Sequence, residues 1–303
     1  MDMDVLKTFV TLATVGHMTR ASEKLHLSQP AVSAQLKRLE RELGQVLFER
    51  TPRGMDLTES GQVFLLYAKE AMNSLERGQE ALDELADLHR GSLSLGGGAT
   101  AITYLLPPIL KHFHETYPGI HLFIREQGSS QTLQRVLAGE LDLGLITLPQ
   151  NGVLPNAYTQ KLELVPWLED ELHLILPPKH TFGRRRNYHW KELDGQPMVL
   201  FEAGSAVREM IDARFVEAGI QPRVVMELRS IESIKQMVEQ GIGMGFLTRY
   251  ALKKKRRGLR CKEKPLTRKL AIVYRKDRGL RRAAKTFLEF MKPEASQSEH
   301  LEL

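Results

Sequence analysis

Gln29, Ser33 and Lys37 stand four residues apart and carry an amide, a hydroxyl and an ammonium group on one face of a predicted helix. Those groups can hydrogen-bond base edges and hold phosphates, so the first chemistry suggested is nucleic-acid reading, with Pro30 adding apolar contact beside Gln29. The helix that positions them runs from Ser28 to Gly44. Ser28 can accept from a free amide of the first turn, Pro30 falls where a missing N–H costs nothing, and Gly44 can adopt the left-handed conformation that closes a helix. Val32, Leu36, Leu39 and Leu43 form its apolar stripe. An ordinary amphipathic surface helix would look the same in isolation, so its neighbours decide between the two readings.

Upstream, Thr19 can cap a short helix ending at Leu25, and only His26-Leu27 separates that helix from Ser28, as a helix-turn-helix requires. Val5, Leu6, Phe9, Val10 and Leu12 predict another amphipathic helix before it. Downstream, Val46–Arg50 and Met55–Thr58 flank Thr51-Pro52-Arg53-Gly54, which reads as a two-stranded wing tipped with arginine. Lys37, Arg50 and Arg53 are the candidate phosphate contacts.

With these residues in place the chain resembles the LysR-type transcriptional regulators. The resemblance is carried by Phe9, Ala21, Leu25, Ser28-Gln29-Pro30-Ala31-Val32-Ser33, Gln35-Leu36, Leu39-Glu40, Leu43-Gly44, Leu47-Phe48, Arg50, Leu57-Thr58 and Gly61. It implies an N-terminal winged helix-turn-helix that binds double-stranded DNA. Ala34 stands where relatives carry a longer side chain.

The whole chain has 303 residues, 42% of them hydrophobic, enough for two or three domains with buried cores. No apolar run approaches the length of a membrane span, and Asp2 and Asp4 do not suit a basic secretory leader. The single cysteine, Cys261, can form no internal disulfide and is too few for a structural zinc site. A cytoplasmic protein with no membrane partner is therefore expected. The net charge of +6 does not itself argue for DNA, because residues 1–60 hold eight Lys/Arg against eight Asp/Glu. The surplus lies in Arg184-Arg185-Arg186, in Lys253–Arg257 and near the C-terminus, and Lys253–Arg257 reads as a solvated surface run or an accessory phosphate or partner contact.

From Thr58 one long helix is predicted. Phe64, Ala68, Ala71, Leu75, Gly78, Leu82, Leu85 and His89 follow at alternating spacings of four and three, the seam of a two-helix coiled coil. About thirty residues would make a rod of roughly 45 Å, and a lone helix would leave its seam wet. The resemblance implies that this linker pairs two subunits, giving a homodimer or homotetramer.

After Gly91 strands and helices alternate, which predicts a parallel sheet covered by helices. Strands are expected at 92–95, 120–126, 141–147, 171–176, 198–201, 224–228, 243–247 and 269–274, and helices at 103–117, 131–137, 206–218, 231–240 and 280–291. Such sheets bind ligands beyond the carboxyl ends of their strands. Thr100, Ser129 and Thr147, with Gly204 and Ser205, supply hydroxyls and helix N-termini there, the ingredients of a small-anion site. Glu202 opposes an anion unless it faces away or pairs, so an amino-acid-like effector is the other reading. The family resemblance extends more loosely through Gly139–Leu145 and Gly241–Gly245, and implies a two-lobed, periplasmic-binding-protein-like module whose cleft takes a small-molecule effector.

A different class is suggested by Gly96-Gly97-Gly98-Ala99-Thr100-Ala101, which satisfies the relaxed dinucleotide fingerprint with Glu126 ending the next strand. No acid, base or nucleophile constellation accompanies it, and His112 and His114, two apart on a helix, do not face one metal. The fold class read from sequence is multidomain. A mainly α winged helix-turn-helix (1–58) is followed by a long coiled-coil linker helix (59–90), a C-terminal α/β two-lobed domain (91–292) and a flexible tail (293–303). Lobe 1 is placed at about 91–163 and 268–292, and lobe 2 at about 164–267. The function expected is an effector-responsive DNA-binding regulator with no catalytic residues, metal or cofactor, and RNA polymerase as a further candidate partner. A stand-alone ligand-binding module and a nucleotide-dependent oxidoreductase are the alternatives.

Overall fold

Apolar residues at spacings of three and four fold the first 43 residues into α1 (Met3–Val15), α2 (Met18–Leu25) and α3 (Gln29–Leu43). These belong to a computed structural model that describes residues 2–52, 54–86, 91–149, 152–252 and 258–291. The chain forms two units, one running through the long helix and one beginning at the first strand of the main sheet.

In the first unit Gly16 and Gly44 close α1 and α3 in the left-handed conformation, and the Ser28 hydroxyl caps α3 by accepting from the Ala31 amide at 3.3 Å. Thr19 does not cap α2. The left-handed turn at Gly16 leaves only the extended His17 before α2 begins at Met18, so Thr19 already lies inside the helix. Strands β1 (Phe48–Thr51) and β2 (Gly54–Leu57) form the antiparallel wing, with Arg50 opposite Met55. Two contacts hold it. The Glu40 carboxylate on α3 accepts from the amides of Leu47 at 2.8 Å and Phe48 at 3.4 Å, and the Met55 amide donates to Gly16 O at 2.7 Å.

The long helix α4 (Glu59–Ala86) is capped by Thr58, whose hydroxyl accepts from the Gly61 amide at 3.0 Å. The expected heptad seam is divided. Phe64 and Ala68 pack into their own unit's core, Phe64 against Phe9, because α1 needs a cover for its apolar face. Ala71, Leu75 and Gly78 are exposed, and Val63, Leu66 and Tyr67 join them as exposed apolar residues. The side chains of Leu82 and Leu85, and His89 itself, lie outside the described residues, as do Arg53, Lys253–Arg257 and the tail after Met291.

The second unit begins with β3 (Gly91–Gly97), a π-helical turn (Thr100–Leu105), α5 (Leu106–Thr116), β4 (Ile120–Glu126), α6 (Ser129–Leu137), β5 (Leu143–Thr147) and the short α7 (Asn156–Thr159). It continues through β6 (Leu162–Ile175), β7 (Asn187–Tyr188), β8 (Pro197–Phe201), α8 (Ala206–Ala218), β9 (Arg223–Leu228), α9 (Ile231–Glu239), β10 (Gly245–Thr248), β11 (Arg260–Cys261), β12 (Leu266–Arg275) and α10 (Arg282–Met291). The helix expected from Thr103 therefore begins earlier and winds wider. The Leu106 amide bonds Ala101 O five residues back, just before Pro107 and Pro108, which have no N–H to donate.

The main sheet is mixed, correcting the expectation of a parallel one. Its order is β10-β6-β12-β5-β3-β4; β3, β4 and β5 are parallel, while β12 runs antiparallel to β5 and β6, and β6 to β10. The strands expected at 171–176 and 269–274 are parts of β6 and β12, which have 14 and 10 residues. Charges at Glu169-Asp170-Glu171 and Arg268-Lys269 concealed the rest, since they interrupt the apolar pattern; the two runs lie opposite one another, with Arg268 facing Asp170 and Lys269 facing Glu169. In the second lobe β8 and β9 are parallel, and a bridge from Met198 to Met244 aligns β10 with them. One lobe's core gathers Leu93, Leu95, Phe113, Leu143, Ile272 and Phe287, and the other's gathers Leu174, Tyr188, Met198, Leu200, Ile211 and Phe246. Among the described residues no helix is long and apolar enough to cross a membrane.

Two glycines of α4 make opposite predictions. A Cβ on Gly61 would lie 2.1 Å from Leu47 O, backbone that cannot give way, whereas nothing lies within 4 Å of one on Gly78. Gly61→Ala should cost about 1–3 kcal/mol through forced backbone displacement. Gly78→Ala should stabilise α4 by about 0.5–1 kcal/mol, both read by chemical denaturation of the intact chain.

Candidate nucleic-acid interface and effector cleft

The amino end of α3 presents Gln29, Pro30 and Ala34 exposed and Ser33 half-buried; Lys37 on the same helix and Arg50 on β1 are exposed as well. Val32, Leu36 and Leu39 face inward, so burial of this stripe turns the polar residues outward. The Gln29 amide nitrogen donates to Thr19 Oγ1 at 3.0 Å, which ties the start of α3 to α2. One amide proton and the carbonyl oxygen of Gln29 remain, a donor and an acceptor side by side. Arg38 is engaged with Glu42 at 3.1 Å. Thr19 is a contributor that the sequence pattern did not reveal in this role, since it was assigned to capping.

In the second unit strand pairing brings one set of effector candidates together. Gly97 at the end of β3 pairs with Glu126 on β4 and Leu145 on β5, so Thr100, Ser129 and Thr147 all follow or end neighbouring strands at one edge. The Ser129 hydroxyl accepts from the Thr147 amide at 3.0 Å. Thr100 is buried. At the corresponding edge of the other lobe Phe201 pairs with Leu228, and Glu202-Ala203-Gly204-Ser205 leads into α8, with Gly204 at φ +81°. Ser205 caps α8 by accepting from the Arg208 amide at 3.2 Å and donates to Glu202 O at 3.0 Å. Arg208 reinforces this loop through Phe201 O at 2.8 Å, with Asp212 and Glu227 also on its guanidinium. The Glu202 carboxylate accepts from Arg229 at 2.6 Å, so its charge is paired within the protein.

Buried polar side chains join the two edges. Arg268 on β12 donates through Nε to Asp170 Oδ2 on β6 at 2.8 Å and through Nη2 to Thr100 Oγ1 at 2.6 Å. Thr248, at the end of β10, donates to Asp170 Oδ1 at 2.8 Å and accepts from the Tyr250 amide at 3.3 Å. The exposures of Asp170, Arg268, Thr100 and Thr248 are 1%, 7%, 6% and 1%. Beside this chain the Tyr104 hydroxyl donates to Glu232 Oε1 at 2.5 Å, and burial together with that bond raises the phenol's pKa well above its ordinary value. Ala99 and Tyr104 pack with Leu228, Ile231 and Leu252, so the edges face each other across the crossing strands. Among the described residues no cluster of three metal-ligating side chains occurs.

Residues 3–62 match the model of the bacterial regulatory helix-turn-helix protein, lysR family, and residues 86–296 match that of the LysR substrate binding domain. The chain is a LysR-type transcriptional regulator. Similar proteins include a probable RuBisCO transcriptional regulator of Trichormus variabilis, 34% identical over 255 residues, covering 83% of this chain and 74% of that protein. Another from Cyanophora paradoxa is 32% identical over 295 residues, covering 95% and 90%. Full-length CbnR, solved in complex with its target DNA, shares the fold with a TM-score of 0.71 at 22% identity, covering 96% of this chain and 99% of that one. The regulatory domain of Synechocystis CcmR, in complex with 2-PG, gives a TM-score of 0.60 at 24% identity, covering 69% and 99%.

This LysR-type regulator therefore combines a DNA-binding winged helix-turn-helix with an effector-binding α/β domain. The glycine-rich segment resembling a dinucleotide fingerprint spans the end of β3, at Gly96 and Gly97, and the turn after it, from which Thr100 enters the π-helical turn. Sequence reasoning grouped Thr100, Ser129 and Thr147, and separately Gly204 and Ser205, as the pairing does. It placed Thr248 among the strand ends that face a ligand but missed Asp170, Arg268 and Tyr104. The available signal was a charge of each sign inside two stretches otherwise apolar enough to be central strands.

Proposed function

We propose that the amino end of α3 enters the major groove, where Gln29 and Ser33 contact base edges and Pro30 makes apolar contact, while Lys37, Arg50 and Arg53 hold phosphates. The unspent donor and acceptor of Gln29 carry this reading, because together they complement the N6–N7 edge of adenine. Arg53 enters through its sequence position alone. Gln29→Ala should cost about 1–3 kcal/mol on the specific operator and little on random DNA, whereas Lys37→Ala should weaken both and flatten the salt dependence by about one unit. Fluorescence anisotropy across a salt series distinguishes them. Equal losses for Gln29→Ala on both DNAs would remove its base-reading role.

The regulator acts as a homodimer or a dimer of dimers joined through α4. Val63, Leu66 and Tyr67 support this reading, since they leave an apolar surface away from the covered face of Phe64 and Ala68, and Leu75 adds the exposed continuation of that seam. Leu75→Asp should place an unpaired charge against that surface and yield a smaller particle by light scattering. A particle of unchanged size would assign the interface elsewhere. RNA polymerase is the partner through which a bound regulator changes transcription.

The effector is a small organic or inorganic anion held between Thr100, Ser129 and Thr147 on one side and Gly204 and Ser205 on the other. Pairing of Glu202 with Arg229 favours an anion over an amino-acid-like ligand, because the nearest carboxylate of the second edge already has its cation. Binding alters operator contacts in proportion to the ligand's preference for one state of the dimer. A thermal-shift panel of inorganic phosphate, sulfate, small phosphate monoesters and small carboxylates should contain members that raise the melting midpoint and change the operator footprint. Small amines should not, and a panel in which only cations bind would reverse the assignment.

A further inference from the structure

We infer that Arg268, charge-balanced by Asp170, is the positioning residue that makes the Thr100 hydroxyl a committed hydrogen-bond donor for the effector. This rests on the anion reading above and specifies how the site selects its ligand. A guanidinium only donates, so at 2.6 Å from Arg268 Nη2 the Thr100 oxygen must accept, which leaves its own proton for another partner. Ser129 is set in the same way, since a backbone amide only donates and its oxygen accepts from the Thr147 N–H.

Ser205 and Thr248 on the other side are arranged oppositely. Ser205 gives its proton to Glu202 O and accepts from Arg208 N, and Thr248 gives its proton to Asp170 and accepts from Tyr250 N. Of these four hydroxyls, Thr100 and Ser129 keep their protons, beside β3, β4 and β5, and the acceptor end of a ligand binds there. Ser205 shapes the second edge without donating to the ligand through its hydroxyl.

Charge acts in the same direction. Arg268 Nη2 lies 2.7 Å from Asp170 Oδ2 and 2.6 Å from Thr100 Oγ1, so the guanidinium stands between the carboxylate and the hydroxyl, and the positive end of the pair is directed at Thr100. Three carboxylates on the elements around the two edges each have a donor within the protein. Glu126 takes the Thr103 hydroxyl at 3.4 Å, Glu202 is paired with Arg229, and Glu232 accepts from Tyr104 and Lys235. A buried cation polarises the hydroxyl it donates to and strengthens the bond that hydroxyl gives in turn. A ligand offering oxygens with negative charge is favoured over a neutral or cationic isostere.

The test uses the full-length protein and isothermal titration with members of the anion panel that bind wild type. Arg268→Met combined with Asp170→Leu removes both charges together, so neither is left buried alone. Anion affinity should fall about tenfold or more, while Arg268→Lys, which can still donate to Thr100 and Asp170, should retain most of it. Thr100→Val should lose affinity similarly and Thr100→Ser should retain it. Because Arg268 acts through Thr100, the triple variant should bind no more weakly than Thr100→Val alone, a non-additivity that a merely structural role would not produce. Wild-type affinity in the folded double variant, or additive losses in the triple variant, would overturn the assignment. If the double variant does not fold, the decision passes to Thr100: unchanged affinity in Thr100→Val overturns it, and loss in Thr100→Val with retention in Thr100→Ser and in Arg268→Lys supports it. Wild type that binds no anion of the panel would instead remove the anion reading itself.

Discussion

The ion pair between Arg268 and Asp170 sits where the two long strands β6 and β12 cross from one lobe to the other, and both side chains are almost wholly withdrawn from water. Removing two such charges from solvent costs on the order of several kcal/mol per ion, and the cost is offset only where geometry is good and the remaining donors and acceptors are satisfied. Here Thr248 satisfies the second carboxylate oxygen and Thr100 takes a guanidinium proton. Each of these threonines belongs to the edge of a different lobe. The need to satisfy one buried pair thus draws the end of β10 and the start of the π-helical turn to a common point, and the cleft is built around it.

A related constraint operates in the first unit, where a carboxylate holds backbone rather than forming a surface bridge. Glu40 takes the amides of Leu47 and Phe48, which would otherwise have no partner at the entry to the wing. It does so from α3, so the wing is positioned relative to the helix whose amino end presents Gln29. Phe9 completes the arrangement by packing on Phe48 and Phe64, joining α1, the wing and α4 in one core. Exposed ion pairs such as Arg38–Glu42 contribute little by comparison, because solvent screens them.

The two units manage hydroxyl groups differently. In the N-terminal unit Thr58 and Ser28 cap helices and define where they start. In the α/β unit Ser205 also caps a helix, but it and Thr248 give their protons to Glu202 O and Asp170, whereas Thr100 and Ser129 accept from Arg268 and the Thr147 amide. All four oxygens accept, from an amide or from the guanidinium; the difference is that Ser205 and Thr248 also donate, to a carbonyl and to a carboxylate. It gives the cleft a direction that the shape of the sheet alone does not possess.

Much of this was legible from local sequence. The capped and glycine-closed α3, the wing, strand 120–126, helix 206–218 and the grouping of Thr100, Ser129 and Thr147 depend on neighbours within a few residues or on the general rule that ligands gather at carboxyl ends of strands. Tertiary structure alone decided which face of α4 is covered, because heptad spacing marks an apolar stripe without naming its partner, and α1 claimed Phe64 and Ala68. It also decided the direction of β6 and β12. Asp170 and Arg268 read as charges that should end a strand, and only their placement opposite one another, 98 residues apart in the chain, turns two interruptions into the pair on which the cleft depends.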